Sequence, residues 1–215
     1  MKKSMTLEEY MMLHKDYPEL DSPIDEDLSL CIMKKVCEEV GKIHRRRRVH
    51  QCISPQNILL NLDNWELESV ELLGPTYSIR SKKFVLVDGM LGYSDMHRNY
   101  EKYKVFVDDE KKRGKLRLLD FYSMGAVLAY MNICKYEKLI KEDFPGKLVE
   151  FLAAYSELCI RIEHDANESD EERMEIDKKN GIYSLIRILV SDNFYNRPSR
   201  ARDIISIIKR IMKEK

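Results

Sequence analysis

Within the 215 residues, one stretch sets groups suited to phosphoryl chemistry at fixed spacing: HQCISPQNILL, from His50 to Leu60. Moving a phosphoryl group takes a divalent metal held by Asn and Asp oxygens, a carboxylate to accept the proton of the attacking hydroxyl, and a cation beside the moving charge. Asn57 closes the turn before the apolar run ILL, and Asp88 ends the run FVLV. A β-hairpin between them would bring both side chains to one rim as a metal pair. Asn and Asp at strand ends are also common turn residues, because both bond neighbouring backbone. Cys52 stands where the carboxylate is needed. A thiolate nucleophile is the alternative chemistry there, and it requires a base or positive charge close by.

These residues need rigid elements to hold them. MTLEEYMMLH, Met5 to His14, reads as a short helix. A longer one is expected with Ser22 as N-cap, Pro23 at the first helical position and Asp25 in the first turn, ending between Gly41 and Arg47. Leu28, Ile32, Val36, Val40 and Ile43 recur along it at helical spacing. NILLNL, SVELL and FVLVDG read as short strands. LLDFYSMGAVLAYMNI is apolar all round, the pattern of a helix buried on every side. FPGKLVEFLAAYSELCIRI reads as an amphipathic helix with Leu148, Phe151, Leu152, Tyr155 and Leu158 on one face, followed by a charged stretch from Glu163 to Gly181. Two more helices are expected, Ile182 to Val190 and Ser199 to Lys213, the last with Ser199 as its cap. The expected fold class is mainly α (α+β), a helical domain with a small β-hairpin insert, in a single domain over residues 1–215.

The order of these segments resembles the C-terminal lobe of a protein kinase. The family's catalytic loop, H-R-D-x-K-P-x-N, falls on His50, Gln51, Cys52, Ile53, Ser54, Pro55, Gln56 and Asn57; its D-F-G falls on Asp88, Gly89 and Met90. Its buried-helix motif falls on Asp120 to Gly125, and its R-P-[ST] on Arg197, Pro198 and Ser199. The resemblance implies that His50 and Asp120 brace the loop against the buried helix. It also implies a carboxylate partner for Arg197, for which Asp108, Asp109 and Glu110 are the candidates.

Departures from the family pattern decide the expected function. The catalytic carboxylate is replaced by Cys52, the preceding arginine by Gln51 and the loop lysine by Ser54, while D-F-G is reduced to Asp88-Gly89-Met90. Removing such charges from an electrostatic site costs orders of magnitude in rate. Only 27 residues precede Leu28, they hold no glycine, and a nucleotide-binding N-terminal lobe is expected to be missing. The resemblance thus implies a pseudokinase, not an enzyme, that serves as a scaffolding or regulatory module. It would bind a protein partner or a second copy through the surface that lobe would have covered. No cofactor is expected; residual Mg/ATP binding would use Asn57 and Asp88. The alternatives are a transferase whose nucleotide lobe comes from a partner chain, and a module that grips phosphate or nucleic acid.

The last alternative rests on two basic runs. HRRRRVH carries Arg45, Arg46, Arg47 and Arg48, a candidate anion grip, and KKRGKLR carries Lys111, Lys112, Arg113, Lys115 and Arg117. The two could form one basic face. Globally, Lys+Arg and Asp+Glu balance at 37 each, so no overall field recruits nucleic acid or a membrane. No aromatic residue interleaves the arginine run as a base-stacking platform, which makes a solvated turn its simpler reading. The five cysteines, Cys31, Cys37, Cys52, Cys134 and Cys159, form no CxxC pair and do not suggest a disulfide framework. No run reaches the 18 or so apolar residues of a membrane span, and a cytoplasmic protein is expected, or one acting in a host cytosol if exported.

Overall fold

The structure, a computed structural model, describes residues 1–15, 24–81, 84–86, 96–133, 181–191 and 193–213. The chain opens with strand β1 (Lys2–Thr6), which runs directly into helix α1 (Leu7–Lys15). Thr6 and Glu9 fix the boundary as a capping box: the Glu9 N–H donates to Thr6 Oγ1 at 3.2 Å, and the Thr6 N–H to Glu9 Oε2 at 2.7 Å. The helix expected from Met5 therefore starts two residues later, and Met5 and Thr6 belong to a strand.

Helix α2 (Glu26–Arg45) is capped by Asp25, whose carboxylate accepts the Leu28 N–H at 2.6 Å. Asp25 is thus the cap itself, not a first-turn residue; Ser22 and Pro23 lie outside the described residues. Glu26 and Asp27 in the first turn and Lys42, His44 and Arg45 in the last complement the helix dipole. Ile32, Val36 and Val40 are buried as expected, while Leu28 and Ile43 are only half-buried. Leu30, Met33, Cys37 and His44 complete the buried stripe.

After the two-residue strand β2 (Arg48–Val49) and a 3₁₀ turn at Pro55–Asn57, β3 (Ile58–Asp63) and β4 (Glu66–Leu72) form a hairpin. Asn64 and Trp65 connect them, both at positive φ (51° and 69°), the twist that joins right-handed strands most easily. Strand β1 adds to the other edge of β3, giving the antiparallel order β1-β3-β4. A second sheet pairs β2 with β5 (Tyr77–Ser78). The run FVLVDG is not a strand where it is described. Phe84 is buried and its N–H closes a turn onto Ser81 O at 3.1 Å, while Val85 is exposed. Residues 87–90 lie outside the described residues.

Helix α3 (Met96–Asp108), in a segment without an expected element, is followed by a 3₁₀ turn at Arg113–Leu116 and by α4 (Arg117–Ile133). Every residue from Leu118 to Ala129 is buried, so α4 is the central rod the apolar pattern predicts. Helix α5 covers residues 181–189 and α6 (Ala201–Ile211) closes the described chain. Arg200, not Ser199, precedes α6 as its cap and makes no side-chain capping bond; Ser199 Oγ donates to Asp203 Oδ2 at 3.5 Å. The amphipathic segment carrying Leu148 to Leu158 and the charged stretch from Glu163 lie outside the described residues.

The main core joins α1, α2, β3, α4, α5 and α6. A smaller one gathers Val49, Ile79, Phe84, Tyr103, Phe106, Leu116 and Leu119 under α3. The class is α+β, with helices around small antiparallel sheets. Among the described residues no helix is long and apolar enough to cross a membrane.

Candidate functional site

The end of α2 and the loop after β2 converge on Asp120, in the first turn of α4. Its carboxylate, fully buried, accepts the His50 N–H at 3.1 and 3.0 Å through its two oxygens and the Gln51 N–H at 2.8 Å through Oδ1. Oδ2 lies 2.8 Å from His44 Nε2, at the end of α2. The local backbone explains the convergence. Gln51 sits at φ 65°, which turns two successive amides toward the same acceptor. Such a conformation is costly for a side chain other than glycine unless its surroundings fix it. Gln51 Nε2 also donates to Val85 O at 3.3 Å, tying the loop to the segment beyond β5.

His50 is a fully buried staple. The Leu73 carbonyl 2.8 Å away can only accept, so Nε2 carries the proton, and Nδ1 accepts the Cys52 N–H at 3.3 Å. Asn57 closes the loop from the far side: its Nδ2 donates to Cys52 O at 2.8 Å, and the Leu73 N–H donates to Asn57 O at 2.8 Å. Ser54 is buried and its carbonyl accepts the Asn57 N–H at 3.0 Å. Asp88, the other half of the expected metal pair, lies outside the described residues. Among the described residues, no group of three His, Cys, Asp or Glu is placed to hold a metal.

Cys52 is half-buried and, like Cys31 and Cys37, forms no disulfide. Cys37 differs: burial, with a smaller push from Glu38, raises its pKa well above the ordinary thiol value. A raised pKa leaves less thiolate at neutral pH, and thiolate is the reactive form. Brief alkylation of the native protein near pH 7.5, read by peptide mass spectrometry, should therefore modify Cys31 and Cys52 while Cys37 reacts only on unfolding. Labelling of all three at one rate would contradict this placement.

Arg197 is nearly buried and lies among aromatic rings, not beside the acidic pair after α3. Its Nη1 donates to Tyr103 Oη at 2.8 Å and Leu118 O at 3.2 Å, Nε donates to Ser191 O at 2.8 Å, and the guanidinium lies 4.7 Å from the Phe194 ring. Asp109 and Glu110 are engaged elsewhere, Asp109 with Lys112 at 3.1 Å and Glu110 near Arg113 at 3.9 Å. Among the described residues, Arg197 shows no ion pair with Asp108, Asp109 or Glu110, and the contacts described for it include backbone carbonyls and a phenol.

The two basic runs do meet, but selectively. Arg47, Arg80, Lys111, Arg113 and Arg117 line one cavity of about 560 Å³, together with Ile79, Gly114 and Glu110. Arg48 is spent on β5's approach, its guanidinium bonding Thr76 through Oγ1 at 2.6 Å and through the carbonyl. Arg45 and Arg46 are exposed outside the cavity lining. Lys112 is held by Asp109, and Lys115 lies over the Phe106 and Tyr195 rings. Of the candidate grip Arg45 to Arg48, only Arg47 lines this cavity.

Sequence reasoning placed His50 and Asp120 together but missed His44 and Arg80. His44 had a signal: it continues the i, i+4 row of Val36 and Val40 on the buried face of α2. Arg80 had none, since its position depends on the β2–β5 pairing, which is only two residues long. No protein-family model matches the chain, and a search of curated proteins finds no match.

Proposed function

We propose that the chain is a protein kinase-like C-lobe domain acting as a non-catalytic binding module, a pseudokinase. One observation carries the reading: Asp120 of the buried helix accepts the backbone amides of His50 and Gln51, the first two positions of the degenerate loop. That bracing is what the resemblance implies for His50 and Asp120. It is independent of which side chains follow.

The side chains that follow leave the loop without its chemistry. Cys52, Gln51 and Ser54 offer no carboxylate to take a hydroxyl proton and no cation to offset phosphoryl charge. His50 is turned away from that task, with both ring nitrogens engaged. Ser54 is buried. What remains is a rigid surface. Met12 and Leu13 on α1, with Trp65 and Leu73 at the two ends of β4, are exposed apolar side chains that a partner protein or a second copy would cover.

The test is a phosphoryl-transfer assay with ATP, Mg²⁺ or Mn²⁺ and a broad mixture of acceptor proteins. The purified chain should transfer nothing above a heat-denatured blank, and Cys52→Asp should not restore transfer on its own. Transfer by the wild type that is lost in Asp88→Ala would overturn the reading in favour of an enzyme.

A further inference from the structure

Among the described residues, the cavity between β2, the turn after β5 and the start of α4 is lined by five cationic side chains and one carboxylate. Glu110 lies near Arg113 and leaves the others uncompensated. Among the described residues, the side chains of Arg47, Arg80 and Lys111 make no hydrogen bond or ion pair. Like charges collected in a concave wall repel one another, and a fold keeps such an arrangement at a cost unless a counter-charge enters.

Two of the guanidiniums are fixed in advance. Arg117 Nη2 donates to His44 O at 2.9 Å, and Arg113 Nε donates to Val107 O at 2.8 Å. Arg117 Nε is buried and has no hydrogen-bond partner. Burial is the larger cause of a lowered Arg117 pKa, with Arg47 and Arg200 adding their positive charge. An unsatisfied N–H of a charged group is the costliest kind to leave unmade. Arg117 itself lines the cavity, so its charge faces whatever enters there. The three unbonded cations at the wall are free to close on an anion without breaking any existing contact.

We propose that this cavity is a binding site for a phosphomonoester. A doubly charged tetrahedral group presents oxygens in several directions at once, which suits guanidiniums and an ammonium converging from three segments; a single planar carboxylate would satisfy one arginine fork. The volume exceeds that of one phosphate, so the group that carries it also fits. Among the described residues no aromatic side chain lines the wall, so they offer no platform for stacking bases and do not have the character of a nucleic-acid groove. The carrier is a phosphorylated residue of a polypeptide or a small phosphorylated molecule, and the phosphate chemistry is common to both. The inference stands on the cavity alone and does not depend on the kinase-like reading, so failure of the transfer test leaves it intact.

Calorimetric titration of the full chain tests it, with three probes: inorganic phosphate, a phosphoserine peptide, and the same peptide unphosphorylated. Inorganic phosphate should bind, and its affinity should fall as salt rises. The double variant Arg80→Gln/Lys111→Gln should weaken it by about tenfold or more, the loss of two charge-assisted contacts. Its melting temperature should not change, because both side chains are exposed and unbonded. A phosphopeptide that binds more tightly than inorganic phosphate assigns the site to a phosphorylated polypeptide; one that binds no better assigns it to a small phosphorylated molecule. No heat from phosphate or phosphopeptide up to millimolar concentration would overturn the proposal. So would equal affinity in the double variant, or equal binding of the unphosphorylated peptide.

Discussion

Replacing Asp120 by alanine should cost about 3–5 kcal/mol of unfolding free energy, the range for removing one member of a buried charged network. Three donors lose their acceptor together: the amides of His50 and Gln51 and the His44 ring. All three residues are nearly or wholly inaccessible, so water cannot substitute without opening the fold. Against a typical total stability of about 5–15 kcal/mol, a change of this size is severe. The left-handed backbone at Gln51 adds to it, because that conformation is kept by the bonds it makes. Asp120→Asn should fall between the wild type and alanine: one oxygen still accepts an amide, while the amino group faces a donor. Urea unfolding followed by circular dichroism measures both. A loss under about 1 kcal/mol for the alanine variant, the scale of one ordinary hydrogen bond, would mean that Asp120 does not hold the loop.

The second large effect is expected at Gly125, in the middle of α4. Helix propensity alone predicts that Gly125→Ala stabilises by about 1 kcal/mol, since glycine gives up more backbone freedom. Packing predicts the opposite. A Cβ at this position would lie 2.6 Å from Leu189 Cβ and 2.9 Å from Val190 Cγ1. A Cβ is fixed to its backbone and cannot rotate away, so α4 and the end of α5 would have to separate. Overpacking of this kind typically costs about 1–3 kcal/mol, and it must first cancel the propensity gain. The net expectation is no gain, and a loss of up to about 2 kcal/mol, for alanine and a larger loss for valine. A gain in stability for alanine would show that the two helices do not approach as closely as the structure places them.

These two residues also show what could be read from the sequence and what could not. The burial of α4 was legible because apolar residues cover its whole circumference, a pattern with no other stable solution for a helix. Asp120 was singled out by the resemblance, whose buried-helix motif begins on it. The strand β1 was not legible: KKSMT has no alternating apolar face, and its pairing with β3 joins residues about sixty positions apart. The capping box at Thr6 and Glu9 was the local clue that the helix begins later. FVLV misled for the converse reason, since a short apolar run looks the same whether it joins a ladder or drops one aromatic ring, here Phe84, into a core. For Arg197 the resemblance implied a carboxylate among Asp108 to Glu110, whereas the contacts described for it include Tyr103 of α3, Leu118 of α4 and Phe194. The two basic runs were visible as charge, but their division into cavity-lining, surface-exposed and structurally engaged members depends on side-chain partners such as Thr76 and Asp109.

The direct measurement is amide hydrogen exchange at His50 and Gln51 in the native protein. Both amides should exchange only as slowly as the amides of α4, because Asp120 shields them at the bottom of the core and releases them only with global opening. In Asp120→Ala the same two amides should exchange far faster, while β3 and β4 keep their protection relative to the variant's own stability. Exchange of both amides in the wild type at the rate of an open surface loop would contradict an architecture in which the loop from His50 to Asn57 is held from beneath by the buried helix.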